Sequence, residues 1–188
     1  MYFEENNNWS GINIEPLKDT FNELVLNRPN CININCAVSN NNGYADFYSN
    51  SGFTILTSGL KELYDKRHLD RLNNDTKNYP MWYKTDPIKK DIKTETNIIK
   101  VKTMKLEDIL DENKVKHINY LSIDVEGAEF DVIKSINFDK VFIDVIGFEN
   151  NYPDVGKKIQ KYLENNGFKL LHNSIDVFMI NINSKFRI

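Results

Sequence analysis

Val141-Phe-Ile-Asp-Val-Ile-Gly-Phe148 is nearly continuous in apolar residues. A strand with one wet face alternates apolar and polar side chains, because successive residues point to opposite sides. A strand apolar on both sides needs cover on both sides, and such strands belong to parallel sheets flanked by helices. This run narrows the fold to an α/β class before any other segment is read. Its neighbours agree. Gly11 to Glu15, Cys31 to Val38, Ile98 to Lys102 and Ile118 to Val125 read as strands, and Tyr44 to Tyr48 as a further short one. Between them lie apolar stripes at helical spacing. They are Leu17, Phe21, Leu24 and Val25 after Pro16; Leu106, Ile109 and Leu110; Phe130, Val132 and Ile133; and Val155, Ile159, Tyr162 and Leu163, closed by Gly167. Phe168 to His172 and Val177 to Ile182 read as a closing hairpin. The pattern predicts a three-layer, Rossmann-like α/β fold, with a mostly parallel sheet and a C-terminal antiparallel hairpin.

Residues 1–188 are read as one domain. Within it, residues 49–95 are less regular. Leu60, Leu63, Tyr64 and Arg67 sit at helical spacing inside Gly59 to Leu72, while 73–95 are polar and carry Pro80, Trp82 and Pro87. This stretch is either a lid or substrate-recognition insert, or a surface decoration. The net charge of −3 gives no electrostatic footprint for nucleic acid. No apolar run approaches the roughly 20 residues that span a bilayer, so no membrane partner is expected. The acidic, Asn-rich start lacks the basic and apolar regions of a signal peptide. Cys31 and Cys36, the only cysteines, would point to opposite faces of one strand and could not pair. A reducing, cytoplasmic location is the expectation.

In open α/β sheets, ligands bind beyond the carboxyl ends of the strands. Glu15 stands at such an end. It could accept hydrogen bonds from a ribose diol, or flank a helix N-terminus, where a carboxylate gains up to ~1 kcal/mol. Leu121-Ser-Ile-Asp-Val-Glu-Gly-Ala-Glu129 begins as a strand and ends as a helix. Asp124 and Glu126 share a face by the period of two, and could hold a cation or act as general base. The same acids would suit a first helical turn, with Gly127 releasing the chain. Glu149-Asn150-Asn151 adds an acid and a carboxamide beside Asp124. That is an all-oxygen set suited to Mg²⁺ or Ca²⁺, or a turn. His117 lies at the wrong end of its strand and His172 near the hairpin. His68, in the insert, could face the cleft, and each of the three also reads as a surface histidine. No Walker loop, Ser-His-Asp set, HExxH or CxxC occurs in the sequence.

The stretch Leu121 to Glu129 resembles the hallmark of the FkbM family of methyltransferases. Gly11-Ile-Asn-Ile-Glu-Pro16, Asn35-Cys-Ala-Val-Ser39, Val101-Lys-Thr103 before Leu106-Glu-Asp-Ile-Leu110, and Asp144-Val-Ile-Gly-Phe-Glu-Asn-Asn-Tyr152 follow in the family's order and spacing. Leu56-Thr-Ser-Gly-Leu60 and Tyr64-Asp-Lys-Arg-His-Leu69 resemble its insert. The resemblance implies an S-adenosylmethionine-dependent methyltransferase that O-methylates a sugar, glycan or other small metabolite. It implies that Glu15 holds the cofactor's ribose hydroxyls, that Ala37 and Val38 border its adenine, and that Asp124 lies near its methionine moiety and the transferring methyl. Asp124, Glu126, His68 or a metal would serve the acceptor's proton. The placement of Asp124, Glu149 and Asn150 is similar to the metal-binding Asp and Asp-Asn of catechol-type O-methyltransferases, so a divalent ion such as Mg²⁺ is a further expectation.

The family's first strand and glycine-rich loop, of the form Asp-Val-Gly-Ala-Asn-x-Gly, would precede residue 1. The implied strand belongs at the centre of the sheet, between the strands ending at Glu15 and Val125. A misassigned start, a decayed gene product, or direct pairing of those two strands are the alternatives. Two rival readings follow: a non-catalytic, truncated remnant or binding scaffold, and a sugar or nucleotide enzyme of another Rossmann class. The lack of a phosphate loop counts against the second.

Overall fold

The structure, a computed structural model, describes residues 2–50, 58–64, 66–70 and 96–186. The chain runs through α1 (Tyr2–Asn7), β1 (Ile12–Ile14), α2 (Lys18–Asn27), β2 (Ile32–Ile34), β3 (Ala37–Val38), β4 (Gly43–Asn50) and β5 (Gly59–Leu60). A 3-10 turn at Lys61–Leu63 and a helical stretch at 66–70 follow. Then come β6 (Thr96–Met104), α3 (Leu106–Glu112), β7 (His117–Ile123), α4 (Glu129–Lys134), β8 (Phe142–Glu149), α5 (Pro153–Asn165), β9 (Phe168–Asn173) and β10 (Asp176–Asn181).

The main core forms around the sheet β7-β8-β10-β9. β8 lies between β7, parallel to it, and β10, antiparallel. Its apolar run is covered on both faces: Ile143, Ile146 and Phe148 are at most 2% exposed. α5 starts with Pro153 at its first turn, where the missing N–H costs nothing. It buries Ile159 and Leu163, and Gly167 takes φ +85° just beyond its end. α3 buries Leu106, Ile109 and Leu110 as its stripe requires. Its first turn is capped from a distance, because Asn42 accepts the Lys105 N–H (2.8 Å) and donates to Asp108 (2.6 Å). The closing hairpin β9-β10 forms as expected.

Several expectations need correction. The described strands make three sheets, β1-β2, β3-β6-β4-β5 and β7-β8-β10-β9, instead of one that is mostly parallel. β6 runs antiparallel to β4 over its whole partner, from Gly43 opposite Thr103 to Asn50 opposite Thr96. Its outer half is exposed, as in sheets with one wet face. The run Cys31 to Val38 is not one strand. The Asn35 side chain donates to the backbone oxygens of Glu15 (2.8 Å) and Pro16 (3.0 Å). The chain breaks there, sending β2 to β1 and β3 to β6. Cys31 and Cys36 are both free. Gly59 and Leu60 pair with Tyr48 and Phe47 and do not begin a helix. The Tyr64 ring lies only 2.8 Å from where a Cβ on Gly59 would be, so the absent side chain admits the ring. Leu72 and residues 73–95 lie outside the described residues. α2 buries no side chain fully; Phe21 and Leu24 are half-buried and Val25 is exposed.

The two strands ending near Glu15 and Val125 do not close up. Among the described residues, β1 pairs with β2 and β7 with β8. A cleft of about 1160 Å³ lies between them, at the position the resemblance implies for a first strand.

Candidate functional site

β7 stops at Ile123, two residues short of the expected end, and the chain leaves the sheet through Asp124-Val-Glu-Gly127. Glu126 holds φ +52° and Gly127 φ +102°. A non-glycine residue in the left-handed region is uncommon. The carboxylates of Asp124 and Glu126 therefore meet because the loop curls, not through the pleat of a strand. Ile123 is opposite Phe148 in the parallel pair β7-β8, so Asp124 emerges beside Glu149. Oxygens of Asp124, Glu126 and Glu149 all lie within 4.8 Å of one another. Among the described residues, no other three acids, histidines or cysteines converge so closely. Asp124 is exposed and the other two are half-buried. Glu149 accepts a hydrogen bond from the Asn151 side chain. Asn150 turns elsewhere: its side-chain oxygen lies against α5 where a Cβ on Gly156 would overlap it, and its N–H donates to Ile175 (2.9 Å). Glu126, then, joins Asp124 and Glu149, and Asn150 packs on the next helix.

Glu129 holds this loop, a role that sequence reading missed. One of its carboxylate oxygens accepts from the N–H of Gly127 (3.0 Å) and of Val125 (3.4 Å). The side chain is 5% exposed. Burial pushes its pKa up; the Gly127, Glu129 and Val125 N–H groups pull it down, and the Asp124 charge pushes it up again. A signal was present, since an acid in a first helical turn reaches back to the preceding N–H groups in a capping box.

His68 reaches the same loop from the insert. It is 8% exposed, and its ring occupies the space a Cβ on Gly127 would need. The ring lies 5.3 Å from Tyr64 and meets Tyr152 edge-on at 4.6 Å, while Tyr64 stands 5.0 Å from Tyr48 of β4. Arg67 covers Tyr152 at 4.7 Å and pairs with Asp154 at 3.0 Å. An aromatic ladder thus ties β4 to the start of α5 across the acidic loop. His117, by contrast, bonds Asp144 (2.6 Å) at the far end of the sheet.

Glu15 ends β1, where one oxygen accepts the Leu17 N–H (2.7 Å) at the start of α2. That is the helix-flanking role. The other oxygen has no hydrogen-bond partner among the described residues. Burial raises the Glu15 pKa and the Leu17 N–H opposes it. Ala37 is buried among Phe47, Leu60 and Val101, and Val38 is half-buried against the core. Glu15 lines one wall of the cleft, and Ser122, two residues before Asp124, lines the other. No helix among the described residues is long and apolar enough to cross a membrane.

Compared with known families, the sequence matches the model of the methyltransferase FkbM domain over residues 1–170. No curated protein and no solved structure gives a significant match.

Proposed function

The chain belongs to the FkbM methyltransferase family, and from that premise we propose that it transfers a methyl group from S-adenosylmethionine to an oxygen of a sugar, glycan or other small metabolite. Membership implies a methyltransferase, and favours that reading over a non-catalytic scaffold. The observation that carries the finer reading is the convergence of Asp124, Glu126 and Glu149 within 4.8 Å where β7 and β8 end.

When bound, S-adenosylmethionine supplies a methyl group already activated by its sulfonium. The chain then has to supply alignment and a proton acceptor. The partnerless oxygen of Glu15 is suited to a ribose hydroxyl, and Val38 offers an apolar edge to adenine, with Ala37 behind it. Asp124 is the exposed carboxylate of the trio, so we assign it proton removal from the acceptor, with Glu126 and His68 at its side. Three carboxylates at this spacing also have the donor chemistry for Mg²⁺, which would supply Lewis-acid polarisation. The proposal sets these groups on a three-layer, Rossmann-like frame in a cytoplasmic enzyme.

Isothermal titration with S-adenosylmethionine and S-adenosylhomocysteine tests the reading, alongside transfer of labelled methyl to a panel of monosaccharides and glycans. Binding together with transfer, and Asp124→Asn keeping the first while losing at least about tenfold of the second, is the expected result. No heat and no transfer would overturn it in favour of the scaffold.

A further inference from the structure

The three acids of the candidate site stand on two separate segments. Asp124 and Glu126 follow β7, Glu149 ends β8, and the β7-β8 ladder has its last pair at Ile123 and Phe148. Beyond that pair, carboxylates with oxygens within 4.8 Å of one another repel and push the segments apart. Glu129 braces the first segment through the Gly127 and Val125 N–H groups, but both of those lie within it. So close a spacing calls for a contact that spans the two.

His68 supplies that contact. Its ring lies against Gly127, in the space a Cβ there would take, and it is 8% exposed. The same ring meets Tyr152 edge-on at 4.6 Å, a favoured arrangement for two aromatic rings. Tyr152 stands three residues past Glu149 and is itself anchored. Its carbonyl accepts the Val155 and Gly156 N–H groups (both 2.9 Å) as α5 begins. Arg67 covers its ring at 4.7 Å, and two bonds to Asp154 (3.0 and 3.2 Å) hold the guanidinium there. Arg67 and His68 are adjacent in the chain, so one short stretch of the insert grips both segments. Tyr64, seated over Gly59, adds a second ring beside His68 at 5.3 Å.

We propose that Tyr152 is a positioning residue for the methyl transfer. Its ring, clamped by Arg67, keeps His68 on Gly127 and so sets the Asp124–Glu126 loop against Glu149. The proposal rests on the reading of Asp124 as the group that removes the acceptor's proton. Position matters at such a group, since a misplacement of about 1 Å can cost roughly a hundredfold in rate.

Tyr152→Leu and Tyr152→Phe in the full chain test this by hydrogen exchange and by methyl-transfer kinetics. With leucine, exchange at 124–128 and at 149–152 speeds up together, by at least about tenfold, while β9 keeps its parental rate. The kcat falls by at least about tenfold, and KM for S-adenosylmethionine changes by less than about threefold. Phenylalanine keeps the ring and matches the parent in both readouts. Arg67→Ala, an exposed change that leaves the core intact, speeds exchange in the same two segments to a smaller degree. Parental exchange with leucine, a change in one segment alone, an equal loss with phenylalanine, or a raised KM with kcat unchanged overturns the proposal. Absence of transfer by the parent would instead defeat the reading of the acids, and the exchange rates would still decide whether Tyr152 holds the two segments together.

Discussion

β1 and β2 have the same sequence, Ile-Asn-Ile, and pair in register with Ile12 opposite Ile32 and Ile14 opposite Ile34. β8 is scarcely more apolar over any three of its residues, yet the two regions differ sharply. In β8, Ile146 is wholly buried, with a strand on each side and helices on the faces. In β2, Ile32 is 48% exposed. Even with the Asn13–Asn33 side-chain bond (2.9 Å), the pair is a two-stranded sheet with neither outer edge paired among the described residues. Apolar residues make a strand a candidate for a core; neighbours on both edges and both faces make the core.

The largest expected effect tests that contrast directly. Ile146→Ala should cost about 2–5 kcal/mol in urea denaturation, as for other fully buried aliphatics. Ile32→Ala should cost less than about 1 kcal/mol, and equal losses would break the comparison. Next comes the loop that joins β7 to α4. Glu129→Ala leaves the Gly127 and Val125 N–H groups without their acceptor and should cost about 1–3 kcal/mol. Glu129→Gln keeps an acceptor, and its pH dependence has a definite sign. The Glu129 pKa is raised in the fold, so its contribution is full below the unfolded carboxylate value and is lost as pH rises through the folded one. Stability of Glu129→Gln relative to the parent should therefore increase with pH across that range, read from paired melts.

A smaller effect is expected at the opposite end of the same sheet. Asp144 is buried, which alone raises its pKa, but bonds from Ser184 (2.5 Å), His117 (2.6 Å) and Asn119 (3.2 Å) outweigh that and hold it below the usual range. Its contribution is present above the unfolded value and is lost as pH falls through the folded one. Ser184→Ala should cost about 0.5–1.5 kcal/mol at neutral pH, and the gap should shrink in acid denaturation curves. Smallest of all, Asn13→Ala should cost less than about 1 kcal/mol, because its bond to Asn33 is only half-buried. A loss as large as that of Ile146→Ala would make β1-β2 a second core.

What the sequence disclosed divides along the same line. α3 and α5 were legible from their helical stripes and β8 from its continuous apolar run, and burial followed in each; the β9-β10 hairpin was legible as two short strands joined by a polar turn. The break at Asn35 was not, because its cause is a side chain reaching the carbonyls of Glu15 and Pro16 from another segment. The antiparallel union of β4 and β6 is likewise a matter of partners remote in sequence. At the site, Asp124 and Glu149 were legible from their places at strand ends. Glu126 reached them by a left-handed loop, and Glu129 supports it by hydrogen bonds that no period encodes.

His68 and Gly127 occupy one volume between them: the imidazole sits where any side chain at 127 would begin. The two positions consequently make up one genetic unit. A residue larger than glycine at 127 evicts the ring, and a small residue at 68 relieves that conflict. Substitutions at the pair should show strong epistasis, with the double variant fitter than the change at 127 alone. A side chain at 127 remains strained by φ +102° even then, so the relief is partial and runs from 68 to 127 only.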